Sequence, residues 1–186
     1  MKKKKQSKVN LPNVLTFIRI ALILPLLICI FMDGLAPKII ALSCFVIASI
    51  TDFIDGRLAR KNNQVTKLGA FFDPLADKML VNLTLMALVC QGIIPFFILA
   101  IILVRDFAVD GLRMMAAGEG VTLAAKMSGK IKTSVQMITI SLILLNKIFG
   151  NEVFANINTI LLYIVLILTI YSGLEYIITG WRLVTK

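Results

Sequence analysis

The sequence predicts an all-α polytopic membrane protein with six transmembrane helices, and three observations predict it. Of 186 residues, 59% are hydrophobic and 16% charged, with a mean hydropathy of +0.92, which is too apolar for a soluble domain of this size. The apolar residues fall in runs near the roughly 20 residues that a helix needs to cross a bilayer. The Lys and Arg residues gather at the ends of those runs, and with the N-terminus inside only Lys38 and Lys147 of the 20 lie on the outer side. Positively charged loops are retained in the cytoplasm, so both termini and the links after the second and fourth helices are expected there.

In chain order, a basic juxtamembrane segment over residues 1–13 leads into a single membrane domain over 14–186. Its spans are expected at 14–32, 38–60, 67–91, 93–117, 127–148 and 153–182. The breaks between them are Asp33-Gly34 with Pro37, the polar stretch Lys61 to Thr66, Gln91-Gly92 before Pro95, Gly118 to Gly120, and Gly150-Asn151. The opening Met1 to Lys5 followed by an apolar run imitates a secretory signal, but Arg19 interrupts the run and no small-residue cleavage site follows, so a retained first helix is expected. No internal repeat supports an inverted-repeat transporter.

Several function classes are set aside by composition. The sequence has no His, which removes His-based metal sites, general bases and triads. Cys29, Cys44 and Cys90 lie in apolar runs without the close spacing of a metal or redox pair. The net charge of +10 does not sit on a polar domain with interleaved aromatics, so it is read as contact with anionic membrane lipids and anionic substrates, with no nucleic acid partner.

Ionised residues within a membrane segment are costly and point to function. The second span ends with Asp52, Asp55, Gly56, Ala59 and Arg60 on one face, at about 100° per residue. The third carries Gly69, Asp73 and Asp77 one turn apart. A short link makes the two spans antiparallel neighbours, so the aspartate pairs can face each other. Four carboxylates at a low-dielectric boundary stay ionised together only with cations among them. All-oxygen ligation selects Mg²⁺ or Mn²⁺, and two such ions would form a clamp suited to displacement at a pyrophosphate. The small Gly56, Ala59 and Gly69 leave a slot where a nucleotide can approach the backbone. The competing reading pairs these aspartates with Arg57, Arg60, Lys61, Lys67 and Lys78 and treats the small residues as helix packing.

The pattern D-x2-D-G-x2-A-R-x8-G-x3-D-x3-D, running from Asp52 to Asp77 without gap or substitution, resembles the signature of the CDP-alcohol phosphotransferases. The resemblance implies a six-helix fold, a homodimer, and a CDP-linked donor bound through its pyrophosphate to the metals. By position it makes Asp52, Asp55 and Asp73 principal metal ligands. Asp77 helps to hold the second metal and serves as general base. Gly56, Ala59 and Gly69 line the nucleotide slot, with Arg60 nearby.

For the acceptor, Arg105 and Arg113 lie within about 80° on the fourth span, and Lys126, Lys130 and Lys132 open the fifth. Converging guanidinium and ammonium groups suit a phosphate, and interfacial snorkelling with local Asp–Arg pairing is the alternative. Leu11 to Arg19, Gly111 to Arg113, Gly129 to Thr133 and Ser172 to Tyr176 together resemble the bacterial phosphatidylglycerophosphate synthases. These bacterial inner-membrane enzymes transfer a phosphatidyl group from CDP-diacylglycerol to glycerol 3-phosphate and release CMP. The resemblance implies acceptor-phosphate binding by Arg105, Arg113 and Lys130, and a substrate cavity bordered by Asn13, Thr16, Arg19 and Lys132. Asp106 follows Arg105 where that family commonly has Glu, and its shorter reach bears on how Arg105 is braced. The rival readings are the same chemistry on serine, inositol phosphate or another lipid alcohol, a divalent-cation transporter, and a membrane scaffold. Tyr176 and Trp181 are expected to be anchors at the inner interface without a catalytic role.

Overall fold

The computed structural model describes the backbone of residues 11–62, 67–118, 120, 124 and 126–184, and the side chains of 16–51, 72, 74–118, 120, 124 and 126–180. These residues form six α-helices and no strand: α1 (Leu11–Phe31), α2 (Leu35–Asn62), α3 (Lys67–Cys90), α4 (Phe96–Gly118), α5 (Met127–Phe149) and α6 (Glu152–Val184). The helix count and order match expectation, and the ends differ by a few residues. α1 starts at Leu11 and α2 at Leu35 because Pro12 and Pro37 fit within a first helical turn, whose N–H groups have no helical acceptor. α4 starts at Phe96 rather than 93, because Gly92 takes φ 71° and the chain turns through Pro95, whose carbonyl accepts from the Ile98 N–H at 3.1 Å.

The chain divides into two compact units, Met1–Ala87 and Leu88–Lys186. In the first, α1 packs along α2. Thr16, Arg19, Ile23, Leu26 and Ile30 are buried at alternating spacings of three and four, the seam of a helix that faces a neighbour. Ala41, Phe45 and Ala48 form the corresponding buried line on α2, where the small alanines allow close approach.

In the second unit α6 packs against both α4 and α5. Its buried line runs Asn158, Leu162, Val165, Thr169, Ser172 and Tyr176, again spaced by threes and fours, while Ile160, Ile167, Leu174 and Ile178 are exposed. Polar groups inside and large aliphatic groups outside reverse the arrangement of a soluble protein and suit a lipid solvent. Within this seam the Thr169 hydroxyl is satisfied by the Val165 carbonyl at 2.7 Å, as a buried polar group in hydrocarbon must be. Met127–Phe149 and Glu152–Gly180 are long and apolar enough to cross a membrane, and the described apolar parts of α1 and α2, Thr16–Phe31 and Leu35–Thr51, are shorter. The chain is an all-α polytopic membrane protein.

α5 ends at Gly150, which adopts φ 63° and ψ 32° and donates its N–H to the Asn146 carbonyl at 2.8 Å. A Cβ there would touch nothing within 4 Å, so the cost of a side chain is that of the left-handed backbone alone. Gly150→Ala is expected to lose about 1 kcal/mol. Gly118→Ala, at a helical position with equally open surroundings, should be neutral or slightly stabilising. Thermal melting in detergent separates the two, and equal melting temperatures would show that the left-handed cap is not what ends α5.

Candidate active site

The four aspartates of the sequence motif lie on helical backbone, Asp52 and Asp55 in α2 and Asp73 and Asp77 in α3. Spacings of three and four residues keep each pair on one face across adjacent turns. The side chains of Asp52, Asp55, Asp73, Gly56, Ala59, Arg60, Gly69 and Asn13 lie outside the described residues. Asp77 is half-buried. Among the described residues no three His, Cys, Asp or Glu side chains gather as a metal site. Thr16 and Arg19, read from sequence as groups near the inner surface, are both buried in the α1 seam, and Arg19 is fully enclosed.

In the second unit a polar cluster assembles from α4, the start of α5 and the inner line of α6. Arg105 Nη1 donates to Asp106 Oδ1 at 3.0 Å, and Lys132 Nζ reaches both oxygens of the same carboxylate at 3.0 and 3.2 Å. The shorter Asp side chain therefore does brace Arg105, and bridges it to α5. Tyr176 stands at the centre with 2% of its surface exposed. Its hydroxyl accepts from Arg113 Nη2 at 2.9 Å and from the Lys126 backbone N–H at 2.6 Å. The guanidinium carbons of Arg105 and Arg113 and the ammonium of Lys126 lie 5.6, 5.3 and 5.8 Å from its ring centre, within the range of cation–π attraction.

Lys126 also fastens the start of α5 to α6. Its ammonium contacts Glu175 Oε1 at 3.1 Å, the Glu175 carbonyl at 3.2 Å and Thr179 Oγ1 at 2.6 Å, and Ser128 donates its hydroxyl to Glu175 Oε2. Two glycines make room for Arg105. A Cβ on Gly173 would stand 2.9 Å from Arg105 Cγ, and one on Gly129 would stand 3.3 Å from Arg105 Nη2 and 3.4 Å from Tyr176 Cε2. The Nε groups of Arg105 and Arg113 are buried and make no hydrogen bond among the described residues. A cavity of about 320 Å³ between α4 and α6, including Val104, Ile170 and Leu174, has Arg105 as its one charged wall residue among those described.

Arg105 and Arg113, chosen from sequence, thus meet at one site. Lys130 is exposed, and Lys132 joins the cluster through its ion pair with Asp106. The two lysines are about 200° apart on the helix wheel, so only one can face inward. Tyr176 is not an interfacial anchor but the buried centre of the cluster, and the side chain of Trp181 lies outside the described residues. Sequence spacing groups Lys126 with the other basic residues and gives no sign of its contacts with Glu175 and Thr179 or of the Ser128–Glu175 bond. The polar residues Thr169, Ser172 and Tyr176, spaced by three and four inside the last span and in line with Asn158 eleven residues earlier, are the available signal.

Six helices, an aspartate motif on two of them and a cationic cluster on the last three define a membrane enzyme that handles phosphorylated substrates. Residues 9–171 match the model of the CDP-alcohol phosphatidyltransferase family, and the chain belongs to this family. It is 40% identical to the CDP-diacylglycerol–glycerol-3-phosphate 3-phosphatidyltransferase of Bacillus subtilis (strain 168) over 93% of this chain and 96% of that protein. The protein of the same name from Rickettsia typhi is 40% identical over 90% of this chain and 94% of its own length. A probable phosphatidylglycerophosphate synthase of Mycobacterium tuberculosis is 34% identical over 93% of this chain and 82% of its own length.

The glycine contacts set a test of the cluster. Gly173→Ala would drive a methyl group into Arg105 at a point close to the backbone, where the side chain cannot swing clear, and overpacking of this kind costs about 1–3 kcal/mol. Melting temperature and phosphatidyl-transfer activity should both fall. Gly180→Ala, whose Cβ would meet Leu112 at an ordinary 3.4 Å, should leave both unchanged. Equal behaviour of the two variants would mean that Arg105 does not need the space above Gly173.

Proposed function

We propose that the chain transfers the phosphatidyl group of CDP-diacylglycerol to glycerol 3-phosphate, giving phosphatidylglycerophosphate and CMP. The observation that carries this reading is the cationic cluster around Tyr176. Arg105, Arg113, Lys126 and Lys132 meet the carboxylates of Asp106 and Glu175, with Asp110 one turn further along α4, and the excess of positive charge suits a phosphate monoester dianion. Unphosphorylated serine, whose carboxylate is offset by its own ammonium, would bring no net negative charge to that excess. Among phosphorylated alcohols, the names of the relatives favour glycerol 3-phosphate.

In this scheme Arg105 and Arg113 hold the acceptor phosphate through their guanidinium forks, and Lys132 fixes the Asp106 carboxylate that braces Arg105. Asp77 accepts the proton of the acceptor's 1-hydroxyl. The hydroxyl oxygen forms its bond to the β-phosphorus of the donor as the anhydride bond to CMP breaks. The small Gly56, Ala59 and Gly69 admit the cytidine nucleotide to the backbone, with Arg60 beside it. The all-carboxylate donor set of Asp52, Asp55, Asp73 and Asp77 fits hard divalent ions. Two Mg²⁺ or Mn²⁺ ions there would neutralise the pyrophosphate and stabilise its displacement. The distribution of Lys and Arg supports a chain with both termini and the active site at the cytoplasmic face of a bacterial inner membrane, among anionic lipids. A homodimer is the assembly that the family resemblance supports.

Purified protein in detergent with CDP-diacylglycerol and Mg²⁺ should release CMP only when glycerol 3-phosphate is added, and EDTA should abolish the release. Asp77→Asn should lower turnover by about 10²–10⁴-fold, the usual contribution of a general base, with the melting curve retained. Release that depends on serine or inositol phosphate instead would overturn the acceptor. Wild-type turnover in the Asn variant would remove Asp77 from the scheme.

A further inference from the structure

We infer that Tyr176 is a positioning residue for the acceptor: it holds Arg113 and Arg105 in the orientation that binds the phosphate, and so sets affinity for glycerol 3-phosphate rather than for the lipid donor. The inference rests on the reaction proposed above and adds a residue to it. Arg113 is on α4 and Tyr176 on α6, and the 2.9 Å bond from Arg113 Nη2 is the one hydrogen bond described for this guanidinium. The other described contact is with the face of the same ring, at 5.3 Å. One aromatic side chain therefore fixes both the roll and the tilt of the guanidinium plane. Arg105 is held differently, by Asp106 at one edge, the Tyr176 face at 5.6 Å and the space above Gly129 and Gly173.

The ring itself has little freedom. It is almost wholly buried, and its hydroxyl is anchored a second time by the Lys126 N–H, which opens α5. Lys126 is in turn fastened to Glu175 and Thr179 on either side of Tyr176 in α6. The phenol thus joins three helices at one oxygen, and both described bonds to it use the oxygen as acceptor. A guanidinium fork binds phosphate well only when its plane is preset, because each freely rotating donor must be ordered on binding.

The ring and the hydroxyl can be tested apart. Tyr176→Phe keeps the cation–π face and removes the acceptor, so the KM for glycerol 3-phosphate should rise by about tenfold, the loss expected for one hydrogen bond to a charged donor. The KM for CDP-diacylglycerol should not change. Tyr176→4-aminophenylalanine keeps the ring and places a weaker acceptor nitrogen where the oxygen stood, and it should show a smaller rise of the same selectivity. This variant carries the test if the phenylalanine variant does not fold. A merely structural role predicts instead that both KM values and the melting temperature move together, and that outcome overturns the inference. So does an unchanged KM for glycerol 3-phosphate. A wild-type protein that needs no phosphorylated acceptor would overturn the proposed reaction first, and is distinguished by running the wild type against each acceptor before the variants.

Discussion

A guanidinium or ammonium group held among membrane helices must find its partners inside the protein, because neither water nor lipid tails can supply them. Lys132 has only 3% of its side chain exposed, and Arg105 and Asp106 have 12% and 14%. Removing one member of such a set leaves an uncompensated charge and costs about 3–5 kcal/mol, even where the intact set adds little net stability over an apolar packing. The arrangement of the last three helices follows from that constraint. Asp106 of α4 must reach Lys132 of α5, Glu175 of α6 must reach Lys126 before α5, and Tyr176 must stand where both arginines can lie on it. The glycines at 129 and 173 are the steric counterpart of the same requirement, since Arg105 can be enclosed only where no Cβ stands in its path.

The six helices and their order were legible in the sequence because apolar runs of bilayer length and their Gly, Pro and Asn breaks are local signals. The helix ends were less so. Pro37 reads as part of a break, whereas a first turn accepts proline without losing a hydrogen bond. The aspartate motif was legible for a different reason: charges are so rare in a span that their spacing is informative without any tertiary structure.

The partners of the arginines were not legible, and the cause is periodicity. α6 is apolar nearly all round, so no amphipathic stripe announces which line of it faces inward. An aromatic residue near the end of such a helix reads equally well as an interfacial anchor or as a buried group. Tyr176 lies 63 residues from Arg113 and 50 from Lys126, and no local rule joins positions so distant. Lys130 and Lys132 posed the same difficulty on a smaller scale. Both are basic and two residues apart, and only the packing of α5 decides that Lys132 turns in and Lys130 out.

The charge arrangement has a consequence for selectivity. The cluster in the second unit sets Arg105, Arg113, Lys126 and Lys132 against the carboxylates of Asp106 and Glu175, and under the reaction proposed above an anionic acceptor would offset its positive charge. A neutral alcohol would not. The acceptor phosphate would contribute to binding through charge that the protein already holds in place, without new ordering of long side chains, because Asp106 and Tyr176 have fixed the arginines beforehand. An enzyme built this way discriminates against unphosphorylated alcohols by leaving preset, desolvated donors unsatisfied, and buried polar groups left without partners give some of the strongest discrimination available to a binding site.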